Sequence, residues 1–173
     1  MSDLTGDWDK LNNILNPARL KAKLHGAAAK VGNYGVMAVK KGIVEGKNFA
    51  PNHPYTVAKK GSSKPLIDKG DLLGSVNYEV FDNANAVFVG VKKTVKNGEN
   101  VANIAAVHEF GCMIKVTPKM RAYLHHNGLH LKKSTEYIHI PPRPFLSPIF
   151  KSKEFLNKVA EIYLKAVKEA FVT

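Results

Sequence analysis

Apolar residues along this chain follow a helical period at both ends and a strand period in the middle. From Ala18 to about Gly46 they recur at Leu20, Leu24, Ala27/Ala28, Val31, Met37/Ala38 and Val44. Those steps of three and four predict a long helix. Asn16-Pro17 in front of it reads as an N-cap followed by proline at the first helical position. Gly26, Gly32, Gly35 and Gly42 each weaken that helix by about 1 kcal/mol relative to alanine. An offset is therefore expected, either a bend or close packing against a neighbouring backbone. Before it, residues 1–15 are polar with the anchors Leu4, Trp8, Leu11, Ile14 and Leu15. At the other end Ser152 caps a helix from about Lys153 to Phe171. Phe155, Leu156, Val159, Ile162, Tyr163, Ala166, Val167 and Ala170 give it a broad apolar face.

Residues 47–70 contain Pro51, Pro54, Pro65 and Gly61-Ser62-Ser63, and predict a long loop without regular structure. Gly70 to Val76 is a short helical turn. Val76–Phe81 and Ala86–Val91 then alternate about Asp82-Asn83-Ala84-Asn85, which predicts an antiparallel hairpin. Lys92 to Asn100, with Asn97-Gly98, reads as a polar loop, and Val101–Phe110 as a helix with Gly111 at its C-terminal cap. Met113–Thr117 reads as a strand. Pro118 opens a short helix that Asn127-Gly128 ends, and Leu129–Leu131 and Tyr137–Ile140 alternate as two more strands. The expected class is α+β: an antiparallel sheet of about four strands flanked by long N-terminal and C-terminal helices, in a single domain over 1–173. The segment at about 113–140 is an insertion folding on itself.

With 173 residues the chain is about one domain in length, and 45% hydrophobic with 23% charged residues is ordinary for a globular protein. No apolar run reaches the roughly 18–20 residues of a membrane span. The first residues lack the basic and apolar regions of a secretory signal. One cysteine, Cys112, excludes an intrachain disulfide and suits synthesis in a reducing cytoplasm. The net charge of +12 favours anionic partners. Its clusters, Arg19 to Lys47, Lys59 to Lys69 and Lys115 to Lys133, lack the aromatic interleaving of a single-strand platform. A basic nucleic-acid-binding module stays open as the alternative. Of seven histidines, His125, His126, His130 and His139 are near enough in sequence to converge. No carboxylate or cysteine set completes a zinc site with them, and His108-Glu109 lacks the second histidine of a zinc-protease helix. Cys112 reads as a small apolar group rather than a nucleophile. The expectation is therefore no catalytic residue, no metal and no cofactor.

The most constrained stretch runs from Val107 to Phe150. Pro141, Pro142 and Pro144 exclude helix interior and disfavour a central strand, so a rigid extended rod precedes the last helix. It is either a stiff linker whose Phe145 and Phe150 plug the core, or a shelf that offers Arg143 to a partner.

Four weak motifs follow in order: Gly70-Asp71-Leu72 with Ser75-Val76; the strand end Val87-Phe88-Val89-Gly90; Ala105-Ala106-Val107-His108-Glu109-Phe110-Gly111; and Pro142-Arg143-Pro144-Phe145-Leu146. Together they resemble the ordered signature of the phage virion morphogenesis family. These are tail-completion and neck proteins of long-tailed bacteriophages. Ile114 to Arg121 with Leu129-His130-Leu131 resembles the insertion of the Mu-like branch. The resemblance covers about residues 15–171 and departs at Lys69, where the family more often has threonine. It implies a structural virion protein without catalysis at the head–tail junction, made in the bacterial host cytoplasm. It further implies a homo-oligomeric ring, hexameric by preference, around the DNA passage. Other neck, connector, terminator or tail-tube proteins would be its partners, with non-specific DNA contact and no membrane. A rigid arm loses little entropy on docking. The expected interface residues are Glu109, Arg143, Phe145, Lys115, Lys119 and Arg121. Arg143 would pair with a neighbour's carboxylate such as Glu109, or with Glu109 of its own chain.

Overall fold

The structure, a computed structural model, describes residues 6–7, 16–81, 86–92, 95–96 and 99–171. The anchors expected at Leu4, Trp8, Leu11, Ile14 and Leu15, the Asp82–Asn85 turn and Asn97-Gly98 lie outside the described residues. The elements are helices α1 (Pro17–Glu45), α2 (Pro54–Lys60) and α3 (Asp71–Ser75), then strands β1 (Val76–Phe81), β2 (Ala86–Val91), β3 (Val95–Lys96) and β4 (Glu99–Asn100). Helix α4 (Val101–Phe110), β5 (Cys112–Lys115), α5 (Pro118–His126), β6 (Tyr137–Ile140), α6 (Ser147–Phe150) and α7 (Lys153–Phe171) complete the chain. The class is α+β with long terminal helices, as the periodicity requires. Among the described residues the strands form two-stranded sheets. They pair off as β1–β2, β3–β4 and β5–β6.

Two compact units make up the chain. The first holds Met1–Met37, Asn77–Gly90 and Phe150–Thr173, the second Ala38–Val76 and Val91–Ile149. In the first, Ala27, Ala28, Val31, Phe155, Ala166 and Ala170 are buried. Asn16 caps α1, its side chain accepting from Ala18 N at 2.9 Å. The glycines of α1 have particular neighbours. A Cβ on Gly32 would come within 2.6 Å of Tyr78 Cγ, and one on Gly35 within 3.1 Å of Val89 Cγ2. The close approach is thus to side chains of β1 and β2 rather than to a backbone. Gly26 has open space instead. Tyr34 stacks on Phe155 at 5.6 Å, and Lys23 pairs with Glu169 at 3.6 Å, so α1 and α7 adhere through both apolar and ionic contact. Ser152 caps α7 through its hydroxyl, which accepts from Phe155 N.

The second unit buries Val39, Ile43, Leu72, Val76, Val101, Ala105, Leu124 and Phe145. Three of its segments depart from expectation, the first being residues 92–100, which carry the antiparallel pair β3 and β4 where a polar loop is expected. Residues 47–70 contain α2, with Pro54 at the first helical position, His53 Nδ1 capping Tyr55 N, and Gly61 closing it at φ 69°. The proline and glycine bracket a helix there rather than exclude one. Leu129–Leu131 forms no strand: Leu129 N donates to Leu124 O, and Leu131 O accepts from Arg121. Asn100 caps α4 and Thr117 caps α5, each through a side-chain oxygen. The segment after α4 returns through a strand pair. Strand β5 runs antiparallel to β6, with Cys112 opposite Ile140 and Lys115 opposite Tyr137.

Candidate partner interface and the clasp behind it

Both ends of the Val107–Phe150 stretch meet inside the second unit. Helix α4 carries Glu109 on its buried side, only 6% exposed. Its carboxylate accepts from three consecutive amides: Oε2 from Phe145 N at 2.8 Å and Leu146 N at 3.0 Å, Oε1 from Ser147 N at 2.9 Å. These amides lead into α6, so Glu109 acts as a cap supplied from 36 positions away. Burial pushes its pKa up. The Ser147 side chain and the backbone amides of Ser147, Leu146 and Phe145 outweigh that, and the net shift is downward. A carboxylate bound by several backbone amides is held ionised.

Arg143 sits between Pro142 and Pro144, and the rod aims it inward. Nε donates to Ala50 O at 2.7 Å and Nη2 to Pro51 O at 2.9 Å. Its own amide donates to His108 O at 2.6 Å. Burial lowers its pKa. Gly111 completes the join. Its φ is 76°, and a Cβ there would come within 3.0 Å of both Ile140 O and Pro142 Cδ. Phe145 is 2% exposed and fills the core. Of the two readings of the rod, this geometry is the core-plugging linker, with its arginine turned inward. Glu109, Arg143 and Phe145, expected at an interface, are buried within this chain. Glu109 and Arg143 serve different backbone segments: the acid takes residues 145–147, the guanidinium residues 50–51.

His108 borders a cleft of about 440 Å³ with Lys60, Asp71, Val101 and Ile104. Its pKa is lowered by burial first, then by the charges of Arg143 and Lys60, and its Nδ1 is buried without a hydrogen-bond partner. The neutral imidazole is the form this setting holds.

The basic candidates divide. Arg121 is half-buried and donates to Leu131 O, Lys132 O at 2.8 Å and Thr135 O at 2.6 Å, so it holds the turn before β6. Those three bonds engage it within the chain. Lys115 and Lys119 are exposed and carry no ion pair among the described residues. His125 and His130 meet edge to face at 4.4 Å, and no group of three His, Cys, Asp or Glu suited to a metal occurs among the described residues. Cys112 is half-buried on the inner side of β5.

Sequence reasoning missed the apolar members of the exposed surface. Phe110 is 77% exposed, Met113 66% and Tyr137 48%. The signal for them lay in β5 and β6. Cys112 and Ile114 alternate with Met113 and Lys115, and Ile138 and Ile140 with Tyr137 and His139, so one side of each strand must face outward. No protein-family model, no curated protein and no solved structure matches this chain.

Proposed function

We propose that the chain is a structural virion protein that completes the tail or joins head and tail at the neck of a long-tailed bacteriophage. It does so as a homo-oligomeric ring, hexameric by preference, around the DNA passage. The observation carrying this reading is the interlock of two motifs on which the resemblance rests. His108 to Gly111 and Pro142 to Leu146 form one clasp through Glu109, Arg143 and Gly111. Their charged groups spend their bonding capacity on backbone, which suits a scaffold rather than a reaction centre. The clasp also brackets residues 112–140, which carry exposed Lys115, Lys119, Met113 and Tyr137. A ring is a closed set of heterologous contacts and needs two different patches on each subunit. The exposed face of β5 is one, and residues 47–69 are the second, outside the stretch where Lys59 Nζ donates to Asn127 Oδ1 at 3.0 Å.

Size exclusion with light scattering on the full chain tests this at about 0.1 M and about 1 M salt, where the screening length falls from about 10 to about 3 Å. A ring that persists at both, free of nucleic-acid absorbance, supports the proposal. A monomer that carries nucleic acid at low salt and releases it at high salt overturns it in favour of the basic nucleic-acid-binding module that the +12 charge suggests.

A further inference from the structure

We infer that the open edge of strand β5 is a docking site for an extended, acidic segment of a partner protein, which adds to the β5–β6 ladder as a third strand. The inference deepens the assembly reading and rests on it for the partner's identity as a virion protein.

The ladder's register fixes which groups are free. Val116 N donates to Glu136 O at 2.8 Å, and the pairing continues as Ile114 with Ile138 and Cys112 with Ile140. In an antiparallel pair, hydrogen-bonding residues alternate with residues whose backbone groups point away. Met113 and Lys115 therefore turn their N–H and C=O groups away from β6, and no third strand pairs with β5 among the described residues. Such a row is a template for strand addition. The other edge is less suitable, because β6 runs into Pro141-Pro142, which have no N–H to offer a ladder.

Chemistry selects the occupant. Residues 112–140 hold Lys115, Lys119, Arg121, Lys132 and Lys133 against the single acid Glu136. A second copy of this edge would bring that surplus against itself, and like charges across strands are destabilising. Duplex DNA would match the charge. It would leave Met113 and Tyr137 uncovered, and Arg121, the side chain best shaped for phosphate, is already bound to three carbonyls. Methionine and aromatic groups are enriched at protein interfaces, where lysine is depleted, so it is Met113 and Tyr137 that point to a protein and Lys115 that sets the sign of its charge. An acidic strand satisfies all three features: its backbone bonds Met113 and Lys115, its apolar side chains cover Met113, and its carboxylates meet Lys115 and Lys119.

The probe is an end-blocked peptide of about eight residues in a Glu-Glu-Val-Val repeat, which sets Glu and Val alternately along each face and has the length of an ordinary strand. It is titrated into the full chain by fluorescence anisotropy, beside its Lys/Val counterpart and a DNA duplex of about 20 base pairs at the same salt. The Glu/Val peptide is expected to bind and to slow amide exchange at Met113 and Lys115. Lys115→Glu and Met113→Glu, both on the exposed face, are each expected to weaken it at least about tenfold with unchanged circular dichroism. The proposal is overturned if the peptide fails to bind, if both variants bind it equally well, or if the duplex binds more tightly. It is overturned also if those two amides are already protected in the chain alone, which would assign the edge to a second copy. Light scattering on the same samples separates the two readings. A ring without peptide binding removes only the docking site, and peptide binding by a monomer removes only the ring.

Discussion

Glu109 and Arg143 show how two charged residues can be buried without facing each other. Each satisfies backbone that has no other partner, and hydrogen bonds to charged groups are worth about 1.5–3 kcal/mol each. Glu109→Gln keeps the shape but turns an NH₂ toward an amide, and is expected to lower unfolding stability by about 3 kcal/mol. Arg143→Ala leaves the Ala50 and Pro51 carbonyls without their donor and should cost about 2–4 kcal/mol. Denaturant melts of both variants measure this, and a change under about 0.5 kcal/mol would show the clasp to be ornamental. The pH dependence has a definite sign. His108 and Glu109 both have lowered pKa values in the fold, so the unfolded chain binds more protons in acid. Stability contributed by His108 is full above its ordinary value of 6.5 and declines as pH falls below it. That from Glu109 is full above its ordinary 4.5 and is lost as pH falls through its lower folded value. Thermal melts from neutral pH downward should show a decline in two stages, and His108→Gln should remove the upper one.

Among the elements, α1 tests how packing overrides propensity. Gly26 and Gly32 are equally unfavourable in a helix, yet only Gly32 lies against the Tyr78 ring. Gly26→Ala should therefore raise stability by about 1 kcal/mol. Gly32→Ala should lower it, since overpacking costs about 1–3 kcal/mol, against about 1 gained in propensity. The same comparison shows where local pattern is a poor guide. Leu129–Leu131 alternates like a strand, but Arg121 takes the Leu131 carbonyl and Leu129 closes the end of α5, so no ladder forms. Arg121→Lys keeps the charge and loses the planar fork that reaches three carbonyls. It should loosen residues 131–135, read as faster amide exchange there.

For the whole molecule, the proposed assembly role makes a prediction at the surface. Large apolar groups stay exposed at Phe110, Met113 and Tyr137, and Lys115 and Lys119 are exposed without an ion pair among the described residues. Lys119→Glu leaves the clasp untouched and is expected to give normal circular dichroism and melting, with impaired assembly into infectious particles. Arg143→Ala, by contrast, should fail through stability rather than through a lost contact. Particles of normal infectivity from Lys119→Glu would remove that surface from the assembly role.

By itself the sequence determined the elements with local causes. Ends of α1, α4, α5 and α7 are marked in it by Asn16-Pro17, Gly111, Pro118 and Ser152, because a cap acts within a few residues of itself, and the structure adds the caps Asn100 and Thr117. The α+β class follows from where the period changes. Only the tertiary structure decided which distant groups meet. Proline stiffness at 141–144 was legible, but the direction in which it aims Arg143 depends on Ala50 and Pro51, over 90 positions away. The choice of Glu109 for the amides of 145–147 rests likewise on partners the local pattern does not name. Short-range preferences are written residue by residue, whereas long-range pairing is settled by which arrangement leaves the fewest buried polar groups unpaired.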